Sequence, residues 1–272
     1  VEADGGLSPV DVGWSLASGR AVFENRAVVS AGSREQLVAG LGALARGEEA
    51  SGLVTGMTAG ADGRVVFVFP GQGSQWAGMA VELLDASPVF AERMAECAAA
   101  LSGFVDWGLL DVVRGASSLE RVDVVQPVSW AVMVSLAALW RSYGIEPAAV
   151  VGHSQGEIAA ACVSGALSLE DGARVVALRS QAIAGGLAGR GGMASVALPL
   201  AEVEARLTRW AGRLEVAALN GPTSVVVAGE PEALDELVAE CEAAEVRIRR
   251  IAVDYASHTS HVELIEEELH RV

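Results

Sequence analysis

Two short apolar runs limit what this chain can fold into. Val65-Val66-Phe67-Val68-Phe69 stops at Pro70-Gly71, and Ala148-Ala149-Val150-Val151 runs into Gly152 and then a helix beginning near Glu157. Neither alternates with polar residues, so each reads as a strand buried on both faces. A helical stretch over 127–143 precedes the second run, and strands alternating with helices imply a parallel sheet. The fold class expected is therefore α/β.

Two further regions flank this core. Over 192–253, strand, helix, strand, strand, helix and strand patterns succeed one another: 193–198, 200–210, 214–219, 224–228, 232–244 and 246–253. That is the ferredoxin-like split motif, placed as an inserted subdomain. Residues 1–62 read as a small α/β module, with helices near 10–18 and 34–46 around a strand at 26–30. Residues 47–63, rich in Gly, Ser, Thr and acid, read as a linker. The expected division is 1–62, then a core of 63–191 with 254–272, then 192–253. A helix is expected over 263–271.

Composition excludes several function classes. Nineteen basic residues, all of them Arg, face 35 acidic ones for a net charge of -16. Such a field repels phosphate backbones and argues against nucleic acid as a partner. The three cysteines are odd in number and widely spaced, which fits neither a disulfide framework nor a metal site. All three are expected to be small buried residues. No apolar run is expected to reach the roughly 18–20 uncharged residues of a membrane helix. The acidic start, Val1-Glu2-Ala3-Asp4, lacks the regions of a signal peptide. A soluble, cytoplasmic protein without a membrane partner is expected.

Chemistry concentrates at Gly152-His153-Ser154-Gln155-Gly156, between the second apolar run and its helix. GxSxG alone is a weak signal. At a strand-to-helix turn it is strong, because the turn is too tight for side chains on either side and lifts the serine clear of the sheet. A helix N-cap serine would account for the position but not for two flanking glycines. The serine needs a base. His153 is its neighbour and should point away, and His270 lies in an acidic, solvated tail. His258 and His261, in the loop after the last subdomain strand, both stay open on the residues alone.

Three stretches together, Phe69-Pro70-Gly71-Gln72-Gly73-Ser74-Gln75-Trp76, Gly152 to Glu157, and Tyr255-Ala256-Ser257-His258, resemble the acyltransferase domains of modular type I polyketide synthases. These are relatives of the malonyl-CoA:acyl carrier protein transacylases. The resemblance covers residues 65–272, and 1–62 look like the preceding ketosynthase-to-acyltransferase linker. It implies an α/β-hydrolase-like parallel-sheet core and an acyl-serine mechanism. Ser154 would be the nucleophile and His258 the base, and the N–H groups of Gln72 and Gln155 would form the oxyanion hole. Arg179, on the second helix after the elbow, would hold a substrate carboxylate; Arg174 reads instead as a helix-surface residue. The implied substrate is a coenzyme A thioester. The implied partners are an acyl carrier protein with its phosphopantetheine thiol and an adjacent ketosynthase, with no bound cofactor and no metal.

Methylmalonyl-type members of the family resemble this chain at Arg121-Val122-Asp123-Val124-Val125-Gln126, at Gln155 and at Tyr255-Ala256-Ser257. Malonyl types tend to carry His-Ala-Phe at the last of these, where a Phe would fill the space beside the α-carbon. Val125, Gln126, Gln155, Tyr255, Ala256 and Ser257 are thus the implied specificity residues, and methylmalonyl-CoA the implied donor. A malonyl-CoA-specific transacylase or a serine hydrolase are the alternatives. Family members usually continue beyond the residue matching Val272, and a later segment orients the catalytic histidine. Asp254 is the only substitute offered here, and it reads better as a strand-end cap.

Overall fold

Serine caps start the first elements. In the computed structural model, which describes residues 6–58, 63–115 and 118–271, the chain divides into two compact units, Val1–Arg64 and Val65–Val272. The acidic start at 1–5, and 59–62 of the expected linker, lie outside the described residues. In the first unit, Ser8 accepts from Asp11 N to cap α1 (Pro9–Gly19), and Ser33 accepts from Gln36 N to cap α2 (Arg34–Arg46). Between them, β1 (Asn25–Val29) pairs antiparallel with β2 (Leu53–Met57). β2 corrects the linker expectation for 47–63. The turn glycines Gly47 and Gly52, both at positive φ, mask a β-forming Leu-Val-Thr run in the composition.

The second unit begins with β3 (Val65–Phe69), which pairs in parallel with β4 (Pro147–Gly152), Phe69 beside Gly152. The crossover between them is helical: α3 (Val81–Ala86), α4 (Pro88–Leu101), α5 (Leu109–Val113) and α6 (Val122–Ser142). After β4 come α7 (Gly156–Ser164) and α8 (Leu169–Gly186). Phe90, Met94, Val128, Trp130, Val176 and Ala177 interlock α4, α6 and α8 in one completely buried core. Phe67, Phe69 and Val150 point into it.

Four expectations change here. Val66, Val68 and Val151 stay 48%, 69% and 52% exposed, so helices cover one face of the β3–β4 pair, not both. α6 starts five residues before Pro127, with the proline inside it. α6 is also long and apolar enough to cross a membrane by composition, but most of it is buried, as in the core helix of a folded domain. Cys97 and Cys241 are buried, whereas Cys162 is only partly so.

The remaining strands form a separate sheet. β5 (Gly192–Val196), β6 (Leu214–Gly221), β7 (Ser224–Gly229) and β8 (Ile248–Ile251) lie in the order β6-β7-β5-β8, every neighbouring pair antiparallel. α9 (Leu200–Leu207), which passes into a 3-10 turn at Thr208–Trp210, and α10 (Pro231–Ala243) share a core with it through Val203, Trp210, Leu234 and Leu237. Met193, Val226 and Ala228, on alternate positions, pack instead with Ala256 of the loop after β8. The helix expected over 263–271 is a 3-10 segment, Ser260–Ile265, followed by the short α11 (Glu266–Leu269).

Candidate active site

Glycines bring the pieces together. A Cβ on Gly152 would sit 2.3 Å from the Cα and N of Glu157, and one on Gly156 would sit 2.3 Å from the Phe69 carbonyl oxygen. No larger residue fits either position unless the backbone moves. Gly71 approaches from β3, where a Cβ would meet Ser154 Cβ at 3.3 Å. The Phe-Pro-Gly-Gln loop is thus pressed against the turn that carries the serine.

Ser154 has φ 52° and His258 has φ 60°, two of four non-glycine residues at positive φ among those described. Backbone held in this sparsely populated region needs support from its surroundings. At the elbow, the N–H groups of His153, Gly156 and Glu157 are taken by Phe69, His153 and Ser154 carbonyls. At His258, Thr259 Oγ1 donates to Ala256 O, and Ser260 donates through N and Oγ to the Glu215 carboxylate.

The two strained residues meet. Ser154 Oγ and His258 Nε2 are 2.8 Å apart, a hydrogen bond between a hydroxyl and an imidazole. Burial, then the charge of Arg179, then His153, lower the His258 pKa below 6.5, which keeps the ring neutral and able to accept a proton. Among the described residues neither Gln72 N nor Gln155 N donates to a protein acceptor. Those two N–H groups are free to bind an oxyanion.

Arg179 projects from α8, its Nη1 donating to Gln126 Oε1 at 2.9 Å. Among the described residues no carboxylate pairs with it, and burial lowers its pKa. Gln126 Nε2 faces Gln72 Oε1 at 3.2 Å and Tyr255 Oη at 3.4 Å, while Tyr255 Oη donates to Gln72 Oε1 at 2.8 Å. A cavity of about 250 Å³ opens beside this group, with Arg179, Ser257, His258, Ile183, Leu187 and Leu269 in its wall. Gln155 is buried, and both atoms of its side-chain amide lack a partner among the described residues. Ala256 and Val125 are buried as packing residues, Val125 completely.

The other sequence candidates go elsewhere. His153 Nε2 bonds Asn220 Oδ1 at 3.1 Å, away from the serine. His261 is the second residue of the 3-10 segment Ser260–Ile265, its N donating to Thr259 Oγ1. His270 is exposed near Glu266. Asp254 accepts from Gly189 N at 3.1 Å and makes no hydrogen bond to His258. Glu215 and Asn220 were not among the sequence candidates: both lie on β6, far along the chain from the residues they hold. Among the described residues no cluster of three or more His, Cys, Asp or Glu could hold a metal ion.

Comparison with known proteins adds to the geometry. The family model for the acyl transferase domain matches residues 66–272. The polyketide synthase GfsE of Streptomyces halstedii is 60% identical over 281 residues, covering 100% of this chain and 7% of that protein. The chain therefore spans only a small part of such relatives. The solved acyltransferase domain from module 8 of the salinomycin polyketide synthase is 58% identical at a TM-score of 0.87, covering 98% of this chain and 64% of that one. A malonyl-transacylase in complex with its type II acyl-carrier protein is 28% identical at a TM-score of 0.69, with 76% and 68% covered.

Proposed function

This chain belongs to the acyl transferase domain family, with the acyltransferase domains of modular polyketide synthases, and from that membership we propose that it moves an α-carboxyacyl group from coenzyme A to an acyl carrier protein. The observation that carries the reading is the 2.8 Å contact between Ser154 Oγ and His258 Nε2 beside two free N–H groups.

In the proposed reaction His258 Nε2 takes the Ser154 proton as Oγ attacks the thioester carbonyl. The oxygen becomes anionic and is held by the N–H groups of Gln72 and Gln155, at a helix N-terminus whose dipole favours negative charge. As the tetrahedral centre collapses, the C–S bond breaks and His258 protonates the departing coenzyme A thiolate. In the second half the phosphopantetheine thiol of the carrier protein gives its proton to His258 and attacks the acyl-serine. His258 then returns the proton to Ser154. The chemistry needs no bound cofactor.

Arg179 is the proposed holder of the free carboxylate, which a guanidinium can grip through two N–H groups. A partly buried cation whose one partner among the described residues is a neutral amide gains from the arrival of an anion, and this supports the assignment. Methylmalonyl-CoA is the preferred donor in this reading. Ser257, in the cavity wall beside His258, leaves room for the methyl, and Tyr255, Ala256, Gln155, Val125 and Gln126 shape the surroundings. The order β6-β7-β5-β8 supports a ferredoxin-like subdomain beside an α/β-hydrolase-like core, and a ketosynthase in the same cytoplasmic polypeptide is the proposed neighbour.

The test is intact mass after mixing the protein with methylmalonyl-CoA. A covalent increment on Ser154, absent in Ser154→Ala and discharged by carrier-protein thiol faster than by buffer, is expected. Rapid loss to buffer alone would point to a hydrolase, and an increment surviving in Ser154→Ala would remove Ser154 from its role.

A further inference from the structure

Gln126 lies where the site's polar side chains cross. It is buried, at 3% exposure, in the second turn of α6. Its Oε1 accepts from Arg179, and its Nε2 is turned to Gln72 Oε1 and Tyr255 Oη. Only one orientation of the amide works. With its ends exchanged, NH2 would face the Arg179 donor and the oxygen would face the Gln72 oxygen, two like-sign contacts in a buried place. Tyr255 closes the ring by donating to the same Gln72 oxygen.

A guanidinium has five N–H donors, and one is used here. The side chain of Arg179 is long and could adopt many rotamers in a cavity. Gln126 is its one protein partner among the described residues. We infer that Gln126 is the positioning residue of the carboxylate site, holding one edge of the Arg179 guanidinium so that the other edge meets the substrate anion, and linking it through Gln72 and Tyr255 to the oxyanion loop. The inference rests on the reading of Arg179 given above. It makes two separate sequence stretches, the start of α6 and the loop before His258, one hydrogen-bonded unit, so substitutions in them should not act additively.

The experiment compares methylmalonyl-CoA with propionyl-CoA, which differs by the carboxylate, on the intact protein. Acylation rates and KM would be measured for Gln126→Ala, Gln126→Glu, Tyr255→Phe and Arg179→Ala, with a thermal melt to confirm folding. Arg179→Ala should collapse the preference for methylmalonyl. Gln126→Ala should raise KM for methylmalonyl about tenfold or more, with a much smaller change for propionyl, because a bond to a charged group is lost. Gln126→Glu supplies a carboxylate of its own to Arg179 and should reduce the preference to the Arg179→Ala level. In the Gln126→Ala background, Tyr255→Phe should add less than its effect alone. Equal losses for the two donors in both Gln126 variants, while Arg179→Ala does collapse the preference for methylmalonyl, would overturn the positioning role. An Arg179→Ala variant that loses both donors equally, and so keeps the parent's preference, would overturn the carboxylate reading beneath it.

Discussion

Gly156→Ala tests whether the elbow's geometry, and not only its serine, makes the site. The added Cβ would lie 2.3 Å from the Phe69 oxygen and 2.7 Å from the Pro70 oxygen, both backbone atoms that no side-chain rotation can move. Ordinary contact begins near 3.4 Å, so α7 and the end of β3 must part by about 1 Å. That gap separates the elbow from the loop bearing Gln72. Overpacking of this kind costs about 1–3 kcal/mol of stability. At about 2–4 °C per kcal/mol for a unit of this size, Tm should fall by roughly 2–12 °C. A displacement of about 1 Å between nucleophile and oxyanion donors costs on the order of a hundredfold in rate. The assay is the rate of acyl-enzyme formation followed by intact mass, beside a calorimetric melt. Gly185→Ala, with nothing within 4 Å of the added methyl, serves as control. Acylation by Gly156→Ala within threefold of the parent would show that the close approach is not what forms the oxyanion site.

The base should stay neutral, and so competent, to a lower pH than an ordinary imidazole. Because burial and Arg179 lower the His258 pKa, the acid limb of acylation should have its midpoint below 6.5, and Arg179→Ala, which removes a repelling cation, should move it upward. A limb above 6.5, or a downward move, would contradict that electrostatic account. Glu215→Ala removes the acceptor that fixes Ser260, two residues from the strained His258; kcat should fall by about tenfold for about 1–2 kcal/mol of lost restraint, with partial rescue in Glu215→Gln. An unchanged kcat would mean the loop holds itself. Tyr255→His with Ser257→Phe should shift competition between methylmalonyl-CoA and malonyl-CoA towards malonyl by about tenfold to two-hundredfold, the worth of one methyl in a pocket. A constant ratio would place selectivity elsewhere.

What was legible in the sequence is what local chemistry dictates. β3 occupies the five apolar residues read as a strand, because nothing in Val-Val-Phe-Val-Phe competes with extended backbone. The glycines at 152 and 156 marked the elbow because steric exclusion acts within a few residues. The start of α6 was hidden by Pro127. A proline normally breaks a helix, and here tertiary burial of Val122, Val124 and Val125 holds the preceding turn helical regardless. α4 was missed although Ser87-Pro88, a cap followed by a first-turn proline, announces it.

At the site the limit is sequence distance. His258 and His261 lie in one loop and carry the same chemistry, and residue type alone cannot rank them. The ranking comes from a contact spanning 104 residues, made possible by a loop whose Ala256 is seated on Met193, Val226 and Ala228. Glu215 carries no motif at all. Its carboxylate matters only because β6 runs beside that loop, 45 residues away in the chain. The same logic explains why Gln126 and Tyr255 read as unrelated specificity markers in the sequence. Each is a polar residue in an apolar setting, which should be unstable alone. Together with Gln72 and Arg179 they satisfy one another's hydrogen bonds, and a buried polar group that finds such partners becomes a constraint on geometry instead of a defect.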